Sequence, residues 1–240
     1  MTGEEEIVAQ ASELIVELDQ KEKVYSSFSL YTRRLNHLMR KFKSYEELNL
    51  SYKVYETKEA NAFATPDGSV RVFSGLMDML SDDELLGVLG HEVGHVALKH
   101  AYYAWRSRML RSAASDALGA FLPEWSILSD SVLGDVAASF LSSGYSRSQE
   151  SEADDFGYNF LKEHGYNPWA LVNAFEKLKS ASEVDDSFVA KILQHFASHP
   201  GFDKRISHLM EKATKDGFEK PKGGLLSSLG NLFASVWHLF

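Results

Sequence analysis

Residues 81–100 read Ser-Asp-Asp-Glu-Leu-Leu-Gly-Val-Leu-Gly-His-Glu-Val-Gly-His-Val-Ala-Leu-Lys-His. Ser81 followed three residues later by Glu84 is a capping box. Asp82, Asp83 and Glu84 add carboxylates to a first turn whose free amides and dipole favour negative charge. The spacing beyond it predicts a helix from about residue 82 to beyond His100. Four residues advance a helix by about 400°, so His91 and His95 leave one face within about 40° of each other, with Glu92 beside them. Gly87, Gly90 and Gly94 each cost about 1 kcal/mol relative to Ala inside a helix. Three such residues in one short stretch point to a second helix, or a bound peptide backbone, passing very close.

Two imidazoles on one face can hold a single metal ion, and Glu92 would reach a water beside that ion rather than the ion itself. Neutral imidazole favours zinc over calcium or magnesium. With no cysteine in the chain, only histidine and carboxylate remain as further ligands. Nine histidines in 240 residues would produce a His-Glu-x-x-His by accident in only roughly 2% of such chains. A catalytic zinc site also needs a third protein ligand and an open position. The candidate lies in Tyr145-Ser146-Arg147-Ser148-Gln149-Glu150-Ser151-Glu152-Ala153-Asp154, where Glu150 and Asp154 are again four apart. One of them can bind the metal while the other orients a ligating imidazole, and Glu152 points away by about 200°. An acidic helix start on its own is a solvated face; beside a metal pair short of a ligand it becomes a ligand set. His37, His100, His164, His195, His208 and His238 read as surface or core residues. Trp105, Trp125 and Trp169 read as packing residues.

Outward from these motifs, the apolar residues of 7–42 recur at helical spacing (Leu14, Leu18, Leu35, Leu38, Met39, Phe42), which reads as one long helix or two. The period then changes. Leu50, Tyr52, Val54 and Tyr55 form a strand-like run, and Asn61-Ala62-Phe63-Ala64 precedes the turn Pro66-Asp67-Gly68. Val70, Val72 and Phe73 follow, which reads as a small antiparallel sheet. Helical sequence continues over 113–120, 132–141, 147–164 and 168–180, and a last helix opened by Pro200 and Gly201 carries Ile206, Leu209 and Met210. The class is α+β, predominantly helical, with a small antiparallel or mixed sheet. The expected organisation is one domain over 1–219, with a helical segment at 5–43 and a core at 45–215, then a linker at 220–224 and an amphipathic helix at 225–240.

A net charge of −9 excludes the basic field of a nucleic-acid binder. The absence of cysteine removes disulfides, iron–sulfur clusters and thiol nucleophiles together. Glu4, Glu5 and Glu6 stand where a signal peptide would be basic, so the chain is expected to be cytoplasmic or already trimmed of its signal. No run of about 20 apolar residues predicts a transmembrane span. The segment 225–240, at about 24 Å as a helix, is too short to cross a bilayer. It has no Lys or Arg on its polar face, so it is expected to dock on protein, including a second copy, rather than on a lipid surface.

Together His91-Glu92-Val93-Gly94-His95 and Glu150-x-x-Ala153-Asp154 resemble the two motifs of the M48 metallopeptidases. The resemblance extends to residues 61–64, 72–76 and 145–147, to Ser198-His199-Pro200 and to Arg205, covering about 45–215. It implies a zincin-type domain with its sheet beside the motif helix, and one zinc ion per chain held by His91, His95 and Glu150. It further implies Glu92 as general base and Asp154 as the carboxylate orienting a ligand. The likeness is to the envelope-located members without spanning helices, which implies a bacterial periplasmic or envelope setting and polypeptide substrates. The activity so implied is endopeptidase action on unfolded or damaged proteins in envelope quality control. The alternative from another class is a non-hydrolytic zinc protein that holds other envelope proteins, and Glu92 argues against it, because a structural site has no use for a carboxylate beside a water.

The substrate-side readings come from individual residues. Residues Asn61, Ala62 and Phe63 read either as a core strand or as an exposed edge to which a substrate peptide adds as a strand, and the resemblance favours the edge. His199, extended before Pro200, reads in three ways. It donates to the oxyanion with Arg205 or Tyr145 behind it, or it is a fourth ligand that latches the enzyme, or it caps the next helix.

Overall fold

The computed structural model describes residues 3–117, 144–182, 199 and 201–221. Residues 118–120, 132–141 and 222–240, together with Trp125, His195, Ser198, Pro200 and His238, lie outside the described residues. The N-terminal helical segment is two helices, α1 (Glu4–Lys21) and α2 (Leu30–Met39), followed by a 3₁₀ stretch at Arg40–Leu48. Ser29 caps α2 by accepting from the Thr32 amide at 3.0 Å. Then come β1 (Ser51–Tyr55), β2 (Ala62–Ala64), β3 (Ser69–Phe73), α3 (Ser74–Met79) and α4 (Asp82–Ala97). The remaining described helices are α5 (His100–Ala117), α6 (Arg147–Glu163), α7 (Trp169–Ser182) and α8 (Phe202–Lys215).

The sheet has the order β1-β3-β2 and is mixed. β2 and β3 are the expected antiparallel hairpin, turned at Gly68 with φ +82°, while β1 runs parallel to β3 from Ser51 opposite Ser69 to Tyr55 opposite Phe73. Alternation of side chains marks a strand but carries no sign of direction. The orientation of β1 depends on the connection between β1 and β2, which local pattern does not encode.

The motif helix is shorter than its spacing predicts. It starts on the full capping box of Ser81 and Glu84 and ends at Ala97. Lys99 then takes a left-handed conformation (φ +59°) and a new helix starts at His100. Lysine at that conformation sends none of the signals that glycine or proline would. The glycines report a close helix. A Cβ on Gly90 would lie 3.0 Å from Gly157 Cα, and one on Gly157 would lie 3.0 Å from both Gly87 O and His91 N. Thus α4 and α6 meet almost backbone to backbone. The apolar side of α4, with Leu85, Leu86, Val88, Leu89 and Val93 all buried, packs against α7 and β2 as well. This holds the motif histidines on a rigid support.

On the sheet, Arg71 of β3 is 1% exposed and places Nε and Nη2 at 2.8 and 2.9 Å from the two oxygens of Asp19 on α1. Lys53 Nζ and the Tyr55 hydroxyl donate to the same carboxylate. Burial raises the Asp19 carboxyl, but the hydrogen bonds from Arg71 and Lys53 outweigh it and hold the group below its usual range. A depressed carboxyl contributes stability above its unfolded pKa, about 3.9, and loses it as pH falls through the folded value. Asp19→Asn is therefore expected to cost roughly 2 kcal/mol at neutral pH, less than the ~3–5 kcal/mol of a fully buried pair because Asp19 keeps some solvent. Its melting temperature should also fall less than the parent's between pH 5 and pH 3, and parallel pH curves for the two proteins would refute the pairing.

Candidate active site

Four donors from three parts of the chain converge. From α4 come His91 and His95, whose Nε2 atoms are 3.1 Å apart. From α6 comes Glu150, set one turn past a second capping box, in which Ser146 accepts from the Gln149 amide. Its Oε1 lies 3.4 Å from His95 Nε2, and its Oε2 lies 3.7 Å from His91 Nε2. From the residue three before the start of α8 comes His199, with Nδ1 at 3.0 Å from Glu150 Oε1 and 3.2 Å from His91 Nε2. One ligand atom from each of the four lies within 4.8 Å of the others, and all four residues are buried. Glu92 is 1% exposed. Among the described residues its Oε1 has no hydrogen-bond partner, and His199 Nε2 stands 3.5 Å away.

The electrostatics suit a cation. Burial raises the Glu92 carboxyl, only partly opposed by His199 and His91, so this group can hold a proton. Burial would raise Glu150 too, but the His199 charge, the hydrogen bonds from His199 and His95, and the Arg205 charge carry it well below the carboxylate range. Burial keeps the His95 imidazole far below its ordinary value and therefore neutral, as a ligand must be. Burial would also lower His199, but the carboxylates Glu150 and Glu92 raise it. Arg205 faces the carboxylates of Glu150 and Asp154, and two imidazoles with a carboxylate are a donor set for zinc-like ions.

Residues 30–213 match peptidase family M48. The chain belongs to that family. It is 39% identical over 205 residues to the metalloprotease YcaL of Escherichia coli strain K12 and 36% identical over 208 residues to the metalloprotease LoiP of the same strain. Each alignment covers 85% of this chain, with 78% of YcaL and 79% of LoiP. A mitochondrial metalloendopeptidase OMA1 of Arabidopsis thaliana is 33% identical over 132 residues, 54% of this chain and 26% of that protein. This M48 chain is thus a metalloendopeptidase with polypeptide substrates, and the non-hydrolytic reading falls away.

Around the donors, the M48 site is braced from behind. His91 Nδ1 lies 2.9 Å from Asp154 Oδ1, the geometry expected of a carboxylate that orients a ligand. Arg205 gives Nε and Nη2 to Asp154 at 2.7 and 2.6 Å, and Nη1 to Glu150 Oε2 at 2.6 Å and to the His199 carbonyl at 3.3 Å. Its guanidinium also lies over the rings of Phe175 and Phe202. Arg205 thus stands behind His199, its nitrogens engaged on the carboxylates of Asp154 and Glu150 and on the His199 carbonyl. Tyr145 does lie at the site, its ring stacked on His95 with centroids 3.7 Å apart. The Phe63 side chain packs with Tyr55, Phe73 and Ile15 in a buried cluster and so serves the core. Ala62 and Asn61 are buried too, the Asn61 Oδ1 accepting from the Ala62 amide at 2.8 Å. β2 is an edge strand by sheet order among the described residues.

Two residues that sequence reasoning set aside belong here. His100 is 4% exposed, with Nδ1 at 3.2 Å from His95 Nδ1 and Nε2 at 3.2 Å from Glu152 Oε2. On an unbroken helix His100 would leave roughly 140° round from His95, and only the turn at Lys99 brings the two rings together. His37, His164 and His208 lie at the surface, as expected.

Proposed function

We propose that this M48 peptidase is a zinc endopeptidase of the bacterial envelope acting on unfolded or damaged polypeptide. His91, His95 and Glu150 are its ligands, Asp154 orients His91, and Glu92 is the general base. The observation that carries this reading is the convergence of the imidazole and carboxylate donors beside a buried carboxyl whose Oε1 has no hydrogen bond among the described residues. When bound, zinc would polarise the scissile carbonyl and bring the pKa of a water toward about 7. Glu92 takes the proton of the attacking water and returns it to the leaving amine, a shuttle suited to a carboxyl raised by burial. Tyr145, kept protonated by burial and by the charges of Glu92 and Glu150, can donate to the oxyanion. β2, the edge strand among the described residues, would take the substrate main chain without reading its side chains. The envelope setting rests on the resemblance. Residues 1–219 form the single domain of this reading.

The test is zinc content and casein hydrolysis before and after chelation, followed by zinc return. Activity that survives complete removal of metal would refute the proposal, and equal rates on folded and unfolded substrate would refute its substrate class.

For His199 we propose the latch, acting in its neutral form: its Nδ1 lies among the donors, 3.0 Å from Glu150 Oε1 and 3.2 Å from His91 Nε2, while its Nε2 stands 3.5 Å from Glu92 Oε1. A fourth protein donor there competes with water and substrate until the residue moves. His199→Ala is expected to raise kcat/KM severalfold at unchanged zinc content. A lowered kcat at constant KM would instead assign the oxyanion role, and unchanged kinetics would leave only a cap.

A further inference from the structure

We infer that His100 and Glu152 form a hydrogen-bond relay that sets the tautomer and orientation of His95, making them positioning residues of the metal centre. The inference rests on the proposed ligand role of His95. That ring presents Nε2 to the donor group, 3.1 Å from His91 Nε2, and turns Nδ1 away from it to His100 Nδ1 at 3.2 Å. The far nitrogen of His100, Nε2, lies 3.2 Å from Glu152 Oε2, and the other oxygen of Glu152 accepts from the Ser148 hydroxyl at 2.9 Å.

The chain of contacts admits one arrangement of protons if both rings are neutral. An ionised carboxylate only accepts, so His100 Nε2 must carry the hydrogen, which leaves His100 Nδ1 as an acceptor. His95 Nδ1 is then the donor. Its Nε2 is left with a bare lone pair, and that is the atom facing Glu150 and His91. Without the relay, His95 could carry its proton on Nε2, the atom that faces Glu150 and His91. Outer partners of this kind typically change metal affinity by about 10–100-fold when lost.

The two ligand histidines are held differently. His91 leans directly on Asp154, buried and paired with Arg205, whereas His95 leans through a second imidazole on a carboxylate whose side chain is 55% exposed. Solvent weakens that outer carboxylate, so the inner step from His95 to His100 should carry most of the effect. The left-handed turn at Lys99 has a purpose in this arrangement, since it is what faces His100 back toward His95.

The experiment is competition for zinc between the full chain and a chromophoric chelator, together with nitrogen-15 spectra of the imidazoles in the zinc-loaded protein. His100→Ala should weaken zinc binding about 10–100-fold. His100→Gln, whose amide oxygen can accept from His95 Nδ1, should recover most of that loss, and the exposed Glu152→Ala should weaken binding a few-fold. In the parent, His100 should be the neutral Nε2–H tautomer, and the His95 Nδ1–H should be a slowly exchanging resonance that broadens or vanishes in His100→Ala. Zinc affinity within twofold of the parent in His100→Ala, while Glu150→Ala loses the metal, would overturn the relay and leave the ligand assignment standing. A His100 ring protonated on Nδ1 would overturn it without any variant having to fold. A parent chain that binds no stoichiometric zinc would overturn the ligand assignment, and this inference with it.

Discussion

Glu92→Gln is expected to keep its metal and lose peptide hydrolysis by about 10²–10⁴-fold, the range removed with a positioned acid–base group. The substitution is isosteric and sits on α4 between buried neighbours, so neither the close α4–α6 packing nor the proposed ligand set should change. What disappears is the exchangeable proton. A carboxyl with Oε1 free of hydrogen bonds, 1% exposed and raised by burial, can take a proton from water and later release it to an amine, whereas an amide can do neither. The loss should fall on kcat rather than on KM, because substrate binding does not use this group. Parallel assays of zinc content and casein turnover decide the matter. Turnover at the parent rate with full zinc would remove Glu92 from the mechanism, and loss of zinc in the variant would make it a ligand instead.

Much of this architecture is legible in the chain because it rests on local signals. The Ser81 box, the acidic first turn and the four-residue spacings of His91 with His95 and Glu150 with Asp154 are helix-periodic facts that survive folding. The glycines of α4 announced a close neighbour correctly, and the residue that completes the contact is the single glycine inside α6, Gly157. What stayed hidden is what depends on a change of direction. A lysine in a left-handed turn ended α4 before His100 and so brought His100 and Glu152 to the site. Nothing in strand alternation separates a parallel β1 from an antiparallel one. The partners of Arg205 could not be read either, since an arginine on a terminal helix is equally ready to face solvent, substrate or a buried carboxylate.

Arg205→Met is expected to destabilise the metal-free protein by about 3–5 kcal/mol, the cost of removing one partner from a buried ion pair. Methionine keeps the apolar bulk against Phe175 and Phe202, so the effect isolates the charge and its donors. In the parent, the guanidinium spans Asp154 and Glu150, both 0% exposed, and so compensates two carboxylates that water does not reach. Without it, among the described residues Asp154 keeps the hydrogen bond from His91 and Glu150 keeps its histidines. A divalent ion in the pocket would supply positive charge from the other side. Zinc should therefore stabilise the variant by more than it stabilises the parent, and part of the deficit should disappear in its presence. The measurement is urea unfolding of both proteins in chelator and in excess zinc. If the two unfolded together in chelator, Arg205 would be a bystander to the buried carboxylates; if zinc shifted both equally, the metal and the guanidinium would not be sharing the same negative charge.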